Sequence, residues 1–114
     1  MNLKSILKFM VIIFIFTAPY SFASEQNQGL ENMVLEGGPT GDVSFPHHVH
    51  QNALNDCNYC HNLFPKALNS IKKLKAEKKL EKKEVMNSCR KCHKQKVENN
   101  EKAGPTSCKG CHQK

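Results

Sequence analysis

The sequence predicts a small, mostly α-helical domain that begins with a short β-hairpin and has little other regular structure. Three observations support this fold class. The chain has 114 residues, which is enough for one small domain. Two short strand-like runs flank a cluster of turn-forming residues before the middle of the chain. Farther along, residues 63–85 repeat apolar side chains at helical spacing.

The first 23 residues have the features of an export signal. Lys4 and Lys8 precede an apolar run over residues 9–18, and small residues end at Ala23. We expect cleavage after Ala23, which leaves residues 24–114 as one domain. An uncleaved membrane anchor is the weaker interpretation, because the run is shorter than the roughly 20 apolar residues that span a bilayer. The mature protein is therefore expected in the periplasm, with no stable membrane anchor.

The N-terminal part of the mature chain predicts a β-hairpin. Residues 33–36 and 42–45 are short runs of strand-forming residues. Between them, residues 37–41 read GGPTG, which are turn formers. The two runs are therefore expected to pair as antiparallel strands.

A helix is predicted over residues 63–85. Apolar side chains recur there every three or four positions, at Phe64, Ala67 or Leu68, Ile71 and Leu74. Residues 72–83 are mostly Lys and Glu, which favours a solvated helix face. The alternative is a docking surface for an acidic partner. Residues 99–105 are predicted to form a loop.

The net charge is +7, and it falls to +5 without Lys4 and Lys8. A basic protein can bind nucleic acid or an anionic membrane surface. Export argues against nucleic acid, and so does the shortage of aromatic side chains, since the chain has no Trp. The sequence therefore predicts no nucleic-acid partner.

The pattern C-x-x-C-H occurs three times and uses all six cysteines. Its cysteines and histidines are Cys57, Cys60, His61, Cys89, Cys92, His93, Cys108, Cys111 and His112. This is the attachment signature of c-type haem. The two thiols form thioethers with the vinyl groups on one edge of the porphyrin, and the next His supplies the proximal nitrogen to the iron. We therefore expect three covalently bound haem c groups, whose propionates offset much of the basic charge.

Other uses of six cysteines explain the pattern less well. A zinc ribbon would use four Cys and leave the third copy unexplained. A disulfide framework suits a small exported domain but leaves the three following His unexplained. Thioredoxin-like redox pairs need a βαβ context that this sequence lacks.

The three remaining histidines are His47, His48 and His50, just before the first C-x-x-C-H copy. Low-spin haem iron needs a sixth ligand, so we expect at least two of them to bind iron. His47 and His50 are three positions apart, so on a helical turn they project from similar faces at different heights. They can therefore serve two different haems.

These residues resemble the cytochrome c7 group, small periplasmic triheme proteins related to tetrahaem cytochrome c3. The resemblance is carried by GDVSFP over residues 41–46 followed by His47-x-x-His50, and by the first C-x-x-C-H copy, which begins after six intervening residues. It extends to the closing Gly104-Pro105-Thr106 and the third copy. It implies a fold that is mostly haem core, with a short two-stranded sheet and a few helices.

The resemblance also implies a ligand set. His47 would pair with His61 on the first haem, and His50 with His93 on the second. Phe45 would lie between these two haems.

One position departs from the family pattern. The family places a third distal His four residues before the second C-x-x-C-H copy, where this chain has Val85. The next residue is Met86, and a thioether is a good axial ligand that raises the potential of haem iron. Our hypothesis is that Met86 binds the third iron opposite His112. A five-coordinate iron, a Lys ligand and His48 are the alternatives.

These expectations describe a diffusible electron carrier rather than an enzyme. The resemblance implies partners that are other redox proteins, namely cytochromes, quinol-oxidising systems and metal-reducing systems, and we expect a monomer. The alternative is a haem enzyme or gas sensor with an open third haem. Since large apolar residues are few, we also expect the haem-free chain to be largely unfolded.

Overall fold

The computed structural model describes residues 27–114, so the predicted signal peptide and the start of the predicted mature domain lie outside the described residues. Three strands form one sheet: β1 (Asn32–Leu35), β2 (Asp42–Pro46) and β3 (His112–Gln113). Five helices accompany it: α1 (His47–Leu54), α2 (Asn58–His61), α3 (Ser70–Ala76), α4 (Glu84–Glu98) and α5 (Cys108–Cys111). The predicted fold class, a mostly helical domain with an N-terminal hairpin, is confirmed.

Strands β1 and β2 form the expected antiparallel hairpin, with Met33 opposite Phe45. A 3₁₀ turn (Gly38–Thr40) lies in the connection, which ends at Gly41 with φ +102°. A Cβ atom at Gly41 would lie 2.3 Å from the carbonyl oxygen of Gln113, so both the φ value and the close approach require glycine. The connection therefore holds the C-terminal end of the chain against the hairpin.

The third strand was not predicted. It contains only two residues, and it places His112 opposite Val43 of β2. Two residues are too few for an alternating pattern to be visible in the sequence. This short ladder joins the last C-x-x-C-H copy to the hairpin.

The helix predicted over residues 63–85 is wrong in its extent, because only α3 and the first two residues of α4 are helical there. Asn69 and Lys78 flank α3 with φ values of +58° and +55°, in the left-handed region. After Lys78, the backbone N–H of Lys79 donates to the carbonyl of Leu74 at 2.8 Å, which closes the last turn. The residue that adopts the left-handed conformation after a helix is usually Gly. Because this chain has Lys78 there, the sequence did not indicate that the helix ends.

The predicted apolar stripe is correspondingly broken. Ile71 and Leu74 are half-buried on α3, whereas Leu68 precedes the helix and is 78% exposed. The loop predicted over residues 99–105 follows the end of α4 as expected.

Protein side chains form almost no core of their own. Among residues 27–114, Leu80 is the one buried hydrophobic side chain, with 7% exposure, and no polar side chain is buried. The same residues contain no helix with the length and apolar character that crossing a membrane requires. A chain of this size needs another source of apolar volume to order its helices.

Candidate haem-binding site

The first two C-x-x-C-H copies are helical. In the first copy, the backbone N–H of His61 donates to the carbonyl of Cys57 at 3.0 Å. The carboxylate of Asp56 accepts from the backbone N–H of Asn58 at 2.9 Å and so begins α2. The second copy lies inside α4. Helical backbone brings the two cysteines and the histidine of each copy to neighbouring positions along the helix.

The third copy turns out of its helix at the histidine. The hydroxyl of Ser107 caps α5 by accepting from the backbone N–H of Gly110 at 3.2 Å. His112 then has extended backbone, with φ −86° and ψ 128°, and enters β3. The predicted third proximal ligand is therefore held by the sheet, whereas the other two are held by helices.

Thiols of different copies interact electrostatically. Burial raises the pKa of Cys60, and the neighbouring thiols of Cys92 and Cys57 raise it further. Cys89 is exposed, yet partial desolvation by nearby protein atoms raises its pKa, with further contributions from the thiols of Cys60 and Cys111. Because these interactions join cysteines of different copies, the three predicted attachment sites are neighbours in space.

Five histidines share one arrangement. In each, Nδ1 lies within hydrogen-bond distance of a backbone carbonyl, which can only accept, so Nδ1 carries the proton. The pairs are His47 with Leu30 at 3.1 Å, His50 with Pro46 at 2.9 Å, His61 with Phe64 at 3.1 Å, His93 with Pro105 at 2.8 Å and His112 with Gly41 at 2.7 Å. This bond fixes the ring and leaves the lone pair of Nε2 for a metal ion.

His48 is arranged in the opposite way. Its Nε2 lies 3.3 Å from the carbonyl oxygen of Gly29, so Nε2 carries the proton and donates. In the other five histidines Nε2 has no carbonyl partner within residues 27–114, whereas in His48 it donates to a carbonyl. Of the three clustered histidines, the structure therefore separates His47 and His50 from His48.

Two histidine pairs have the spacing that a shared iron requires. The ring centres of His47 and His61 are 6.3 Å apart, and those of His50 and His93 are 6.1 Å apart. Two imidazoles that bind one metal ion from opposite sides have ring centres roughly 6 Å apart, because each metal–nitrogen bond is about 2 Å long and the rings add the rest. The residues present therefore fit two bis-histidine haems.

Phe45 lies beside both predicted distal ligands. Its ring centre is 4.4 Å from that of His50 and 6.0 Å from that of His47. Strand β2 ends one residue later and α1 begins at His47, so the strand-to-helix junction fixes this grouping. An aromatic ring at this position can pack against both haems.

The segment after α4 supports the second copy, a role that had not been predicted from the sequence. A Cβ atom at Gly104 would lie 2.7 Å from Cε1 of His93. The next carbonyl, that of Pro105, accepts from His93, and the carbonyl of Thr106 accepts from Nε of Arg90 at 3.3 Å. We call residues 104–106 the GPT clip. In the sequence, its Gly-Pro pair indicated a loop, and all three residues were part of the resemblance to the cytochrome c7 group.

A second close approach surrounds the third proximal histidine. A Cβ atom at Gly37 would lie 2.6 Å from Nδ1 of His112 and would overlap the carbonyl of Gly41. The backbone N–H of Gly37 also donates to the carboxylate of Asp42 at 3.3 Å. The glycine-rich turn predicted from the sequence therefore also packs against His112, a predicted haem ligand.

Met86, the hypothetical third distal ligand, is half-buried in the first turn of α4. It lies three residues before Cys89, about one helical turn. Val85, at the family's histidine position, is also half-buried. The structure thus sets Met86 in the same helix as the second copy.

All six cysteines lie in residues 27–114, and none is in a disulfide bond. Within the same residues, no group of three or more His, Cys, Asp or Glu side chains is arranged to hold a metal ion directly.

Comparison with known proteins gives the family. The family described as cytochrome c7 and related cytochrome c matches residues 43–113. A cytochrome c7 from Geobacter metallireducens is 35% identical over 74 residues, which cover 65% of this chain and 67% of that protein. The solution structure of the triheme cytochrome PpcA from Geobacter sulfurreducens matches with a TM-score of 0.52 and 31% identity, covering 75% of this chain and 100% of that one. The chain therefore belongs to the cytochrome c7 family of electron-transfer proteins and carries three c-type haems.

Proposed function

We propose that this chain is a periplasmic electron carrier that shuttles electrons between redox proteins and is not itself an enzyme. Each haem, when bound, supplies an iron that takes up and releases one electron. The chain contributes the thioether cysteines, the axial ligands and the fixed spacing between the sites. A carrier needs no substrate pocket, only irons whose coordination stays closed.

The observation that carries this proposal is the pair of histidine spacings. The 6.3 Å and 6.1 Å separations match closed bis-histidine coordination at the first two sites. Histidine at both axial positions favours low-spin iron, which rearranges little when it gains an electron. The carbonyl bonds to Nδ1 support this role, because they hold each imidazole ring in place during the change of charge.

For the third iron, we propose Met86 as the ligand opposite His112. A Lys ligand or a five-coordinate iron is the alternative, and the Nε2 bond of His48 to the Gly29 carbonyl disfavours the remaining histidine. A thioether ligand would raise the potential of the third haem relative to the two bis-histidine haems. The carrier would then have two low-potential sites and one higher one.

Replacement of Met86 by Ala tests this ligand. The oxidised wild-type protein should show the near-infrared methionine–iron charge-transfer band, and the variant should lose it. Met33, which lies in β1 opposite Phe45, provides the matched control, and Met33→Leu should keep the band. Absence of the band from the wild type, or its persistence in Met86→Ala, would exclude Met86.

Carbon monoxide separates the carrier from the alternative, a haem enzyme or gas sensor. The reduced carrier should not bind the gas promptly at any haem. Prompt binding of one equivalent per protein would favour an open third iron and hence the alternative function. A spectropotentiometric titration of the same sample should resolve two low potentials and one higher potential, whereas three equal potentials would remove the proposed asymmetry.

The periplasmic location is supported by the features of residues 1–23. Mass spectrometry of the haem-loaded protein from a periplasmic fraction should give a chain that begins at Ser24. A chain that retains residues 1–23 in the membrane fraction would contradict this location.

The proposed partners are other cytochromes, quinol-oxidising systems and metal-reducing systems. Between α3 and α4, Lys78, Lys82 and Lys83 are exposed, whereas Lys79 pairs with Glu77 at 2.8 Å. An acidic partner surface would meet the exposed amines, and the rate of electron exchange would then fall as salt screens the charges. If the rate of electron exchange does not depend on ionic strength, this segment is a solvated surface and not a docking site.

A further inference from the structure

Residues 28–31 cross the start of α1 beside the first predicted distal ligand, and we call them the N-terminal strap. The carbonyl of Leu30 accepts from Nδ1 of His47 at 3.1 Å. This is the bond that orients the imidazole and sets how strongly it donates to a bound metal ion. Whatever holds the strap therefore also holds His47.

Two side chains of α1 fix the strap. Gln51 makes a double hydrogen bond with the backbone of Gln28, in which its Oε1 accepts at 3.0 Å and its Nε2 donates at 2.7 Å. His48 donates from Nε2 to the carbonyl of Gly29 at 3.3 Å, and its backbone N–H donates to the carbonyl of Glu31 at 3.2 Å. Hydrogen bonds to α1 therefore hold the strap on both sides of Leu30.

The amide nitrogen of Gln51 also lies 3.2 Å from Nε2 and 3.4 Å from Nδ1 of His47. Because it is nearly equidistant from the two ring nitrogens, this amide lies beside the ring and not along the lone pair of Nε2. An iron held by Nε2 of His47 would leave the two hydrogen bonds between Gln51 and Gln28 in place. The strap bonds of Gln51 are therefore compatible with haem.

We propose that His48 and Gln51 are positioning residues of the first haem, which act by holding the strap so that the Leu30 carbonyl stays on His47. This gives His48 a role that is not iron ligation. The inference rests on the proposed ligation of the first iron by His47. A firmly held Nδ1–H bond makes the imidazole a stronger donor, which stabilises oxidised iron and lowers the potential.

The test compares His48→Leu, Gln51→Leu and His48→Gln in the haem-loaded protein. The amide of Gln can replace the Nε2–H donor of His48, whereas Leu cannot. Both Leu variants should shift the midpoint potential of the first haem to more positive values and should change its haem-methyl NMR signals. His48→Gln should stay at the wild-type potential. The exposed residue between the two histidine ligands gives a further control, and Val49→Ala should change nothing.

Because His48 and Gln51 hold the same strap, the double Leu variant should shift the potential by less than the sum of the single shifts. An unchanged first-haem potential in both Leu variants would overturn the proposal. A high-spin or carbon monoxide-binding haem in His48→Leu would also overturn it, because His48 would then be a ligand. Failure of the underlying ligation is distinguishable, since low-spin iron at all three haems in His47→Ala would show that His47 is not a ligand.

Discussion

At the scale of single residues, the ring nitrogen that donates to a carbonyl decides whether a histidine keeps Nε2 available to bind iron. His47, His48 and His50 are clustered in four positions of the sequence, where they look alike. Their carbonyl partners separate them, because His47 and His50 use Nδ1 whereas His48 uses Nε2. The sequence could predict that this cluster supplies ligands. The family resemblance implied that the ligands are His47 and His50. The sequence could not give the physical reason why His48 differs, because the partner carbonyls belong to the backbone and carry no sequence signal.

The angles between paired rings predict two kinds of low-spin iron. The planes of His47 and His61 are 79° apart, and those of His50 and His93 are 23° apart. Crossed ligand planes make two iron d orbitals nearly equal in energy and give a highly anisotropic electron paramagnetic resonance signal. Nearly parallel planes separate the energies of these two orbitals and give a rhombic signal. The oxidised protein should show both signals, and His47→Ala should lose the more anisotropic one. Loss of the rhombic signal from His47→Ala would instead assign that signal to the haem that His47 binds and would contradict this prediction.

Gly104 makes a second residue-scale prediction. Because an added Cβ would lie 2.7 Å from Cε1 of His93, Gly104→Ala must displace the ring or the GPT clip. Overpacking of this kind costs about 1–3 kcal/mol of stability. We expect a lower denaturation midpoint and a changed potential at the second haem, measured by guanidinium titration and spectropotentiometry. Lys102→Ala, at a nearby exposed position, should change neither quantity, and an unaltered Gly104→Ala protein would contradict the close packing.

At the scale of elements, Leu80 explains how residues 77–83 stay ordered without being helical. It is 7% exposed between two runs of Lys and Glu, so it anchors an otherwise solvated connection. Leu80→Ala should lower the free energy of unfolding of the haem-loaded protein by about 2–5 kcal/mol, measured by guanidinium denaturation. Leu68→Ala, at a 78% exposed leucine, should stay within about 0.5 kcal/mol of the wild type. Equal effects of the two changes would contradict the anchoring role.

The elements also show where sequence patterns are sufficient. The hairpin was predictable because strand-forming runs flank GGPTG, whereas no helix was predicted over residues 86–98 of α4. The extent of α3 was not predictable, because Lys78 adopts the left-handed conformation that usually belongs to Gly. The apolar stripe counted residues such as Leu68, which are apolar but lie outside any helix. Periodicity alone therefore overestimated the helix.

At the scale of the whole molecule, the haems replace the core that the side chains do not form. With Leu80 as the one buried hydrophobic side chain of residues 27–114, the polypeptide by itself buries too little apolar area to offset its conformational entropy. A haem-free variant with all six cysteines replaced by Ser should be largely unfolded and should show no cooperative thermal transition by circular dichroism. A sharp transition in that variant would contradict this prediction.

The GPT clip has a consequence for how such a chain can be shortened or extended. It precedes the third C-x-x-C-H copy in sequence, yet it contacts His93 and Arg90 of the second copy. A gene truncated before residue 104 would therefore not encode an intact two-haem protein, because the remaining second site would lose the carbonyl that orients His93. Each copy is a repeat in sequence but not an independent module. Gain or loss of a haem by duplication or deletion must therefore also transfer backbone that supports a neighbouring site.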